Sequence, residues 1–264
     1  MTEIGSAVFD RADEQALVDS IKRFANDEIA PFVTDWDAAG EFPRGLYKRA
    51  AELGLLGLGY PEEFGGTPAT HRVRNLVSQT LARYGASGGV NASLFSHSIG
   101  LPPILKHGSD SLQQQIVPPV LRGEKISALG ITEPGGGSDV AAIKTTAVLE
   151  GNHYVINGEK TFITSGVRAD FLTTAVRTGE GGSKGASGIS LIVIPMHLPD
   201  VSRTRRQNGL ARIRHRPYPF GQCAGARQHA RGPAWRGLQD DHGQLQRRAP
   251  GHVGAGSGVC TGLF

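Results

Sequence analysis

Residues 128–147 read ALGITEPGGGSDVAAIKTTA, and this stretch separates two halves of the chain that have different apolar patterns. Its three consecutive glycines, residues 135–137, let the backbone approach a ligand closely and leave amide groups free to contact oxygen atoms. Thr132 and Ser138 add a hydroxyl group at either end. The run has neither the Walker phosphate-loop pattern nor the dinucleotide-binding spacing. By itself it is compatible with a ligand-binding turn or with a plain surface loop.

Helical spacing dominates the residues before this stretch. Apolar side chains recur every three or four positions in several segments, for example at Leu17, Ile21, Phe24 and Ile29. The pair Pro118 and Pro119 predicts an end or a kink in the last of these segments. Residues 1–125 are therefore predicted to form an all-α helical domain.

Strand patterns follow the Gly-rich stretch. Six segments are predicted as strands: 126–132, 144–149, 153–157, 160–164, 171–177 and 189–195. The dipeptides Gly151-Asn152 and Asn157-Gly158 are typical of two-residue hairpin turns, and residues 179–187 are predicted to be an exposed hairpin tip. We therefore predict an α+β chain in which a small antiparallel β-barrel or sandwich domain, residues 126–204, follows the helical domain.

The charge changes abruptly near residue 200. Residues 1–200 carry a net charge of −5, whereas residues 201–264 contain eleven Arg, no Lys and only two carboxylates, a net charge of +9. Apolar residues in this tail show neither helical nor strand spacing. Residues 205–264 are therefore predicted to be an aberrant, irregular Arg- and Gly-rich tail. It can be interpreted as a disordered basic arm or linker, as a segment that binds nucleic acid or another anion, or as a shifted reading frame.

The shifted frame is favoured because it restores ordinary sequence. Codons can be chosen for residues 205–220, RRQNGLARIRHRPYPF, so that the neighbouring frame spells AAKMGWHASDTAHIR. Further along, suitable codons permit the run FNGERLG, which overlaps the codons of residues 246–249. We therefore place a frame change near residues 204–206. The basic charge is then an artefact and indicates no nucleic-acid partner.

Several classes of protein are disfavoured by what the first 200 residues lack. They contain no apolar run of the roughly 18 residues that a membrane span needs, no secretory signal and no cysteine. This composition predicts a cytoplasmic protein without a disulfide framework. The histidines are dispersed and form no pair at metal-ligand spacing, so no metal site is predicted.

A second motif, NGEKTFITSG, covers residues 157–166. On a strand, Phe162 and Thr164 would share one face, where an aromatic ring and a hydroxyl group would suit a flat heterocycle with polar edges; the alternative is a plain hairpin with Phe162 in the core. Together, ITEPGGGSD and INGEKTFIT resemble the flavin-binding signature of the acyl-CoA dehydrogenases. The resemblance covers residues 8–204 in the family's order, including LGLLGLGYPEEFGG and LIVIPMHLPDVSRT.

The resemblance implies an N-terminal helical domain, a middle β domain and a C-terminal helical domain that hold FAD between them in a homotetramer. Such enzymes oxidise an acyl-CoA thioester to its trans-2-enoyl form, in fatty-acid or amino-acid catabolism. A carboxylate removes the α-proton, the β-hydride passes to the flavin, and an electron-transferring flavoprotein reoxidises it. Two alternatives stay open: a related flavin-dependent acyl-CoA oxidase or monooxygenase, and a non-catalytic fragment with a basic, anion-binding tail.

The resemblance also assigns a cofactor site. Thr132 would bind the pyrimidine edge of the flavin, Thr164 would bind near its reactive nitrogen, and Phe162 would cover one face of the ring. Ser138 would lie near the CoA arm and so contact the substrate. Gly136 stands where relatives usually have Ala. The complete set is Leu129, Gly130, Ile131, Thr132, Glu133, Pro134, Gly135, Gly136, Gly137, Ser138, Phe162, Ile163 and Thr164.

The resemblance implies a catalytic base that this chain does not supply. In the family a Glu from the C-terminal helical domain serves as the base. The neighbouring frame would encode such a Glu in the run FNGERLG. The translated chain has Arg247 and Arg248 in that region instead. No residue of this chain is therefore assigned as the base, and its turnover is predicted to be crippled.

Overall fold

The computed structural model describes residues 9–150, 153–178, 188–198, 201–204, 210–213 and 217–219. Helices come first and strands afterwards, as predicted. The helices are α1 (Arg11–Glu28), α2 (Val33–Ala39), α3 (Gly45–Glu52), α4 (His71–Gly85), α5 (Gly88–Leu94), α6 (His97–Gly100), α7 (Pro102–His107) and α8 (Asp110–Leu121). Within the described ranges, no helix combines the length and the apolar character that a membrane span requires.

The chain divides into two compact units, and one of the boundaries between them falls within α8. The first unit contains the described residues up to 95 together with residues 117–125. The second contains residues 96–116 and the described residues from 126 onward. The domain boundaries that the sequence suggests at residues 125 and 204 stay predictions.

Helices α1 and α4 form much of the first unit. Asp10 begins α1 with a capping box, because its carboxylate accepts a hydrogen bond from the Asp13 N–H at 2.8 Å and Asp13 accepts one in return from the Asp10 N–H. Ile21 and Phe24 are buried on the face predicted from their spacing, and α1 packs against α4. Burial of such a face supplies most of a helix's stability in a protein.

In α8 the helix does not end at the two prolines, and the alternative of a kink there stays a prediction. Pro118 and Pro119 lie inside the helix, which continues to Leu121. A proline inside a helix removes one N–H donor and crowds the preceding turn. The proline carbonyl oxygens still accept hydrogen bonds from the N–H groups of Arg122 and Glu124, each at 3.0 Å. Four neighbouring apolar side chains are also buried, and this burial offsets the cost of the prolines: Ile116, Val117, Val120 and Leu121.

The second unit contains a mixed β-sheet. Its strands are β1 (Ser127–Gly130), β2 (Thr146–Glu150), β3 (His153–Lys160), β4 (Phe171–Arg177), β5 (Ile189–Pro195), β6 (Val201–Thr204), β7 (Leu210–Ile213) and β8 (Pro217–Pro219). The order is β1-β4-β2-β3-β7-β6, with β5 paired to β4 and β8 paired to β3. Most pairs are antiparallel, but β1 is parallel to β4, with Ser127 opposite Phe171. The long connection between these two strands permits that parallel arrangement, so the sheet is not wholly antiparallel.

Strands β4 and β5 lie at the centre of this unit's core. They match the predicted segments 171–177 and 189–195 residue for residue. Leu172, Val176, Ile192 and Ile194 are almost completely inaccessible to solvent. Both strands are rich in apolar and β-branched residues, and Thr173 and Thr174 of β4 are buried as well. Such runs are typical of strands covered on both faces, which explains why the prediction holds here.

Two local predictions in β3 are wrong. The strand continues through Asn157 and Gly158 to Lys160, so this dipeptide is not a turn. Gly158 is needed there for close approach, because a Cβ atom at this position would lie 2.4 Å from the Thr145 Oγ1. No separate strand occupies residues 161–164, so the strand predicted at 160–164 is absent from this described segment. The chain leaves the sheet after Lys160, and Phe162 adopts a left-handed backbone conformation.

Two short strands occupy part of the segment predicted to be an irregular tail. Strand β7 pairs with residues 158–160 of β3, and β8 pairs with residues 153–155. The physical reason is that β2 covers only one edge of β3, and the N–H and C=O groups on the other edge can pair with any extended segment. The rest of 205–264 lies outside the described residues, as do Gly151-Asn152 and the predicted hairpin tip at 179–187.

Candidate functional site

The Gly-rich segment forms a tight turn after β1. Glu133 and Gly136 exchange backbone hydrogen bonds in both directions at 3.0 Å, which closes an exposed turn over the two residues between them. Within the part of the chain that the structure describes, the N–H groups of Gly135, Gly137 and Ser138 have no acceptor. Free backbone donors of this kind bind carbonyl or phosphate oxygen atoms.

Three hydrogen bonds join this turn to the second motif. The Thr161 N–H donates to the carbonyl oxygen of Thr132 at 2.9 Å. The Lys160 ammonium group donates to the carbonyl oxygen of Ile131 at 3.0 Å and to the Glu133 Oε1 at 2.7 Å. The side-chain contacts connect residues 27 and 29 positions apart in sequence. The two motifs therefore meet at one place, which we call the motif junction.

Glu133 is the central acceptor of the motif junction. Its Oε1 accepts from Lys160, from the Thr145 N–H at 2.9 Å and from the Thr145 hydroxyl at 2.6 Å, and its Oε2 accepts from the Lys144 N–H at 2.6 Å. Burial by itself raises the pKa of the Glu133 carboxyl group. The hydrogen bonds from Lys160, Thr145 and the two backbone N–H groups outweigh burial and lower the pKa to about 2. Glu133 is therefore ionised at neutral pH.

The lowered pKa of Glu133 predicts a specific loss of stability in acid. The folded-state pKa of about 2 lies below the ordinary value of 4.5, so the carboxylate stabilises the fold above about pH 4.5 and loses this effect as the pH falls towards 2. The difference corresponds to about 3 kcal/mol at most. Urea unfolding curves at several pH values should show a steeper decline below pH 4.5 for the unmodified chain than for Glu133→Gln. Equal declines would contradict this assignment.

Lys160 is the functional residue that the sequence motifs do not single out. Its side chain is completely buried, and burial lowers its pKa while the Glu133 carboxylate opposes that effect. The sequence carries a signal for it, since Lys160 lies in phase with the buried Tyr154 and Ile156 along β3. A charged side chain in such a position needs an opposite charge. Only the folded structure shows that Glu133 provides it.

Phe162 and Thr164 are exposed on either side of the buried Ile163. A turn, and not the predicted strand, thus places Phe162 and Thr164 on the exposed side and Ile163 on the buried side. Phe162 is 62% exposed, and both Phe162 and Ser165 have left-handed backbones, with φ angles of 56° and 61°. This conformation costs on the order of 1–3 kcal/mol for residues other than glycine and is concentrated at functional sites. An exposed aromatic ring on such a turn is consistent with ligand binding.

Two arginines, Arg177 and Arg203, donate hydrogen bonds to backbone carbonyl oxygens in the segments next to the motif junction. Arg203 donates to the carbonyl oxygens of Val167 at 3.0 Å and Ala169 at 3.3 Å, and also to that of Met196. Arg177 donates to the carbonyl oxygen of Ile143 at 2.8 Å, in the segment between the Gly-rich turn and β2. The sequence does not reveal these contacts, because the acceptors are backbone atoms on distant segments.

The predicted cofactor residues differ in what they expose. The side chains of Glu133 and Ile163 point into the protein, and Gly130 packs closely against Leu172, so these three could contact a ligand only through their backbones. Half-buried residues are Leu129, Ile131, Thr132 and Gly137, and exposed ones are Pro134, Gly135, Gly136, Ser138, Phe162 and Thr164. Their roles in binding FAD or substrate stay predictions.

Known proteins match both parts of the chain. Residues 11–124 match the acyl-CoA dehydrogenase N-terminal domain, and residues 128–223 match the acyl-CoA dehydrogenase middle domain. The crystal structure of a probable acyl CoA dehydrogenase from Mycobacterium abscessus is 38% identical, with a TM-score of 0.74, over 95% of this chain and 73% of that chain. This chain therefore belongs to the acyl-CoA dehydrogenase family, which confirms the resemblance and the fold class.

Two further proteins are similar to this chain. Benzylmalonyl-CoA dehydrogenase from Aromatoleum aromaticum is 39% identical over 173 residues, 65% of this chain and 46% of that protein. A structure described as the electron transferring flavoprotein of Acidaminococcus fermentans is 28% identical, with a TM-score of 0.73, over 84% of this chain and 59% of that chain. The chain spans about half the length, 46 to 53%, of the curated relatives that it matches.

Proposed function

We propose that this chain binds FAD at the motif junction. One observation carries the proposal: three hydrogen bonds join a turn with free N–H groups to the segment that presents the exposed Phe162. These groups fit a flavin. Free backbone donors suit the oxygen atoms of the diphosphate and the pyrimidine ring, and an aromatic side chain suits the flat ring system. The hydroxyl groups of Thr132 and Thr164 can donate or accept hydrogen bonds at its polar edges.

The reaction that we propose is the dehydrogenation of an acyl-CoA thioester to trans-2-enoyl-CoA. FAD, when bound, supplies the acceptor for the β-hydride. The Gly-rich turn would orient the polar groups of the cofactor, Phe162 would cover one ring face and exclude water, and Ser138 would contact the CoA arm. The name of the benzylmalonyl-CoA relative supports a CoA thioester as the substrate class.

Glu133 is not the catalytic base in this proposal. Both of its carboxylate oxygens accept hydrogen bonds from the protein, and a pKa of about 2 gives it little tendency to take up a proton from substrate. Glu133 is the only carboxylate among the predicted cofactor residues, and its role is to accept hydrogen bonds that stabilise the motif junction. A base has to come from elsewhere, as the family resemblance implies with a Glu from the C-terminal helical domain.

We also propose an electron-transferring flavoprotein as the redox partner. The family resemblance implies this partner, and the similar Acidaminococcus fermentans structure is described as such a flavoprotein. Assembly as a homotetramer and a cytoplasmic location follow from the resemblance and from the composition, and we carry both forward as expectations. Sedimentation of the purified chain would test the first.

A frame change near residue 204 is the remaining part of the proposal. The abrupt change in charge supports it, as do the family-like runs that suitable codons permit in the neighbouring frame. The middle-domain match in the translated frame continues to residue 223 and includes β7, and this observation counts against a change as early as residue 204. Sequencing of the coding DNA around codons 200–210 decides the matter. A frame interrupted upstream of codon 205 supports the proposal, and an uninterrupted frame that relatives share contradicts it.

Replacement of Phe162 by Ala is expected to raise the dissociation constant for FAD by about tenfold. The reason is the loss of an aromatic contact with the flavin, on the order of 1 kcal/mol, together with buried apolar area. Titration of the 264-residue chain with FAD, followed by flavin fluorescence, measures the change. Phe32→Ala is the matched control, because Phe32 is also exposed but lies in the first unit.

This titration tests two claims separately: that Phe162 contacts FAD, and that the chain binds FAD at all. Equal affinities for Phe162→Ala and the unmodified chain would remove Phe162 from the site. Absence of saturable FAD binding by the unmodified chain would contradict the proposed function itself.

A further inference from the structure

We propose that the buried ion pair between Lys160 and Glu133 is the positioning element of the motif junction. It holds the Gly-rich turn in the form in which the N–H groups of Gly135, Gly137 and Ser138 are free for a ligand. The contacts of Lys160 and Glu133 themselves indicate that the pair orders the turn. Its effect on FAD binding rests on the proposed function.

The Gly-rich turn needs external support. A run of three glycines has more backbone freedom than any other sequence of that length. The turn itself is closed only by the two hydrogen bonds that Glu133 and Gly136 exchange. Order in the rest of the segment therefore depends on contacts with other parts of the chain.

Glu133 closes the whole segment into a loop. Its Oε2 accepts from the Lys144 N–H, and its Oε1 accepts from the N–H and hydroxyl groups of Thr145, so residues 11 and 12 positions further along are bound to it. The segment between them contains the Gly-rich turn and a short 3-10 helix, Val140–Ala142. One carboxylate thus joins the two ends of the loop that presents the free donors.

Lys160 ties that loop to the sheet. Its ammonium group donates to the side-chain carboxylate of Glu133 and to the backbone carbonyl oxygen of Ile131. Lys160 therefore binds both the first residue of the turn and the chain just before it. Because Phe162 lies two residues further along the same chain, the ion pair also sets where this ring stands relative to the turn. A close fit is possible because Gly158 leaves room for Thr145 against β3.

The chemistry of the pair suits this role better than a neutral contact would. An ionised carboxylate only accepts hydrogen bonds and has room for about four. Here it receives four, from three residues of the chain. Lys160 compensates its charge, since a buried charge without a partner is strongly destabilising. Loss of the lysine should therefore loosen the loop before it affects the apolar core.

Hydrogen exchange of Lys160→Met tests the inference. We expect the hydrogen-bonded amides of Gly136 and Thr145 to exchange at least about tenfold faster than in the unmodified chain, because local opening no longer breaks an ion pair. Amides of β4 exchange when the whole unit unfolds, so they should stay slower than those of the loop and accelerate by no more than the loss in the free energy of unfolding of the same variant accounts for. Lys144→Met is the matched control, since it removes an equivalent side chain that is exposed and keeps the backbone contact with Glu133.

The pattern of exchange separates a positioning role from a merely structural one. Loop amides that exchange no faster than in the unmodified chain, or that exchange only as fast as those of β4, would overturn the inference. If Lys160→Met does not fold, Thr145→Val decides, because it removes one donor to Glu133 and keeps the shape of the side chain. It is expected to accelerate exchange at Gly136 by about fivefold, and unchanged exchange there would overturn the inference.

FAD titration of the same variants tests the part that concerns the ligand. Lys160→Met is expected to raise the dissociation constant for FAD by about tenfold, whereas Lys144→Met leaves it unchanged. Equal affinities in a variant whose loop exchanges faster would contradict the link to FAD. A chain that shows the expected exchange but binds no FAD supports the role of the ion pair in ordering the turn and contradicts the proposed function.

Discussion

Correction of the reading frame before codon 205 is expected to raise the rate of acyl-CoA-dependent flavin bleaching by about two to four orders of magnitude. This is the usual contribution of a positioned general base. The 264-residue chain has no residue assigned to that role, and Glu133 is occupied by four hydrogen bonds. The measurement is stopped-flow absorbance of both FAD-loaded proteins after mixing with an acyl-CoA thioester under anaerobic conditions.

A control within the corrected protein identifies the base. If the corrected protein contains the FNGERLG run that suitable codons permit, replacement of its glutamate by glutamine should return the bleaching rate to that of the 264-residue chain. Rapid bleaching by the unmodified chain would contradict the claim that it does not turn over. In air, peroxide release by the corrected protein would favour the acyl-CoA oxidase alternative, whereas electron transfer to an electron-transferring flavoprotein would favour a dehydrogenase.

Replacement of Glu133 by Gln is expected to lower the free energy of unfolding at pH 7 by about 3–5 kcal/mol. The substitution leaves the Lys160 ammonium group buried without an opposite charge. It also places an amide NH2 group among four donors, of which a glutamine oxygen can satisfy only some. Urea unfolding followed by circular dichroism measures the loss.

Glu150→Gln is the matched control for this variant. Glu150 is exposed at the end of β2, so the same chemical change there should alter the free energy of unfolding by less than about 0.5 kcal/mol. A loss for Glu133→Gln as small as that of the control would show that the buried ion pair contributes little to the stability of the second unit.

Local sequence patterns predicted those elements whose stability is determined by their own composition. Strands β4 and β5 are rich in apolar and β-branched residues, and both have the predicted bounds. The two site motifs could be located because glycines, an aromatic residue and hydroxyl groups occur at characteristic spacing. Their resemblance to one family then indicated that they act together, and the structure brings them into contact through Lys160, Thr161 and Glu133.

The errors arise where a distant segment decides the local conformation. Asn157-Gly158 has the composition of a hairpin turn, but it lies within β3 because Thr145 packs against the glycine. Pro118 and Pro119 have the composition of a helix end, but buried apolar neighbours keep α8 intact. The partner of Lys160 could not be predicted for the same reason. Packing and pairing with remote residues outweigh propensities of about 1–3 kcal/mol.

Equilibrium binding of FAD to the 264-residue chain tests the central claim most directly. Titration should be combined with hydrogen exchange, so that the state of the second unit is known from the protection of β4. The account predicts saturable binding of one FAD per chain, with slower exchange at residues 131–138 and 160–166. No saturable binding by a chain in which β4 is protected would contradict it.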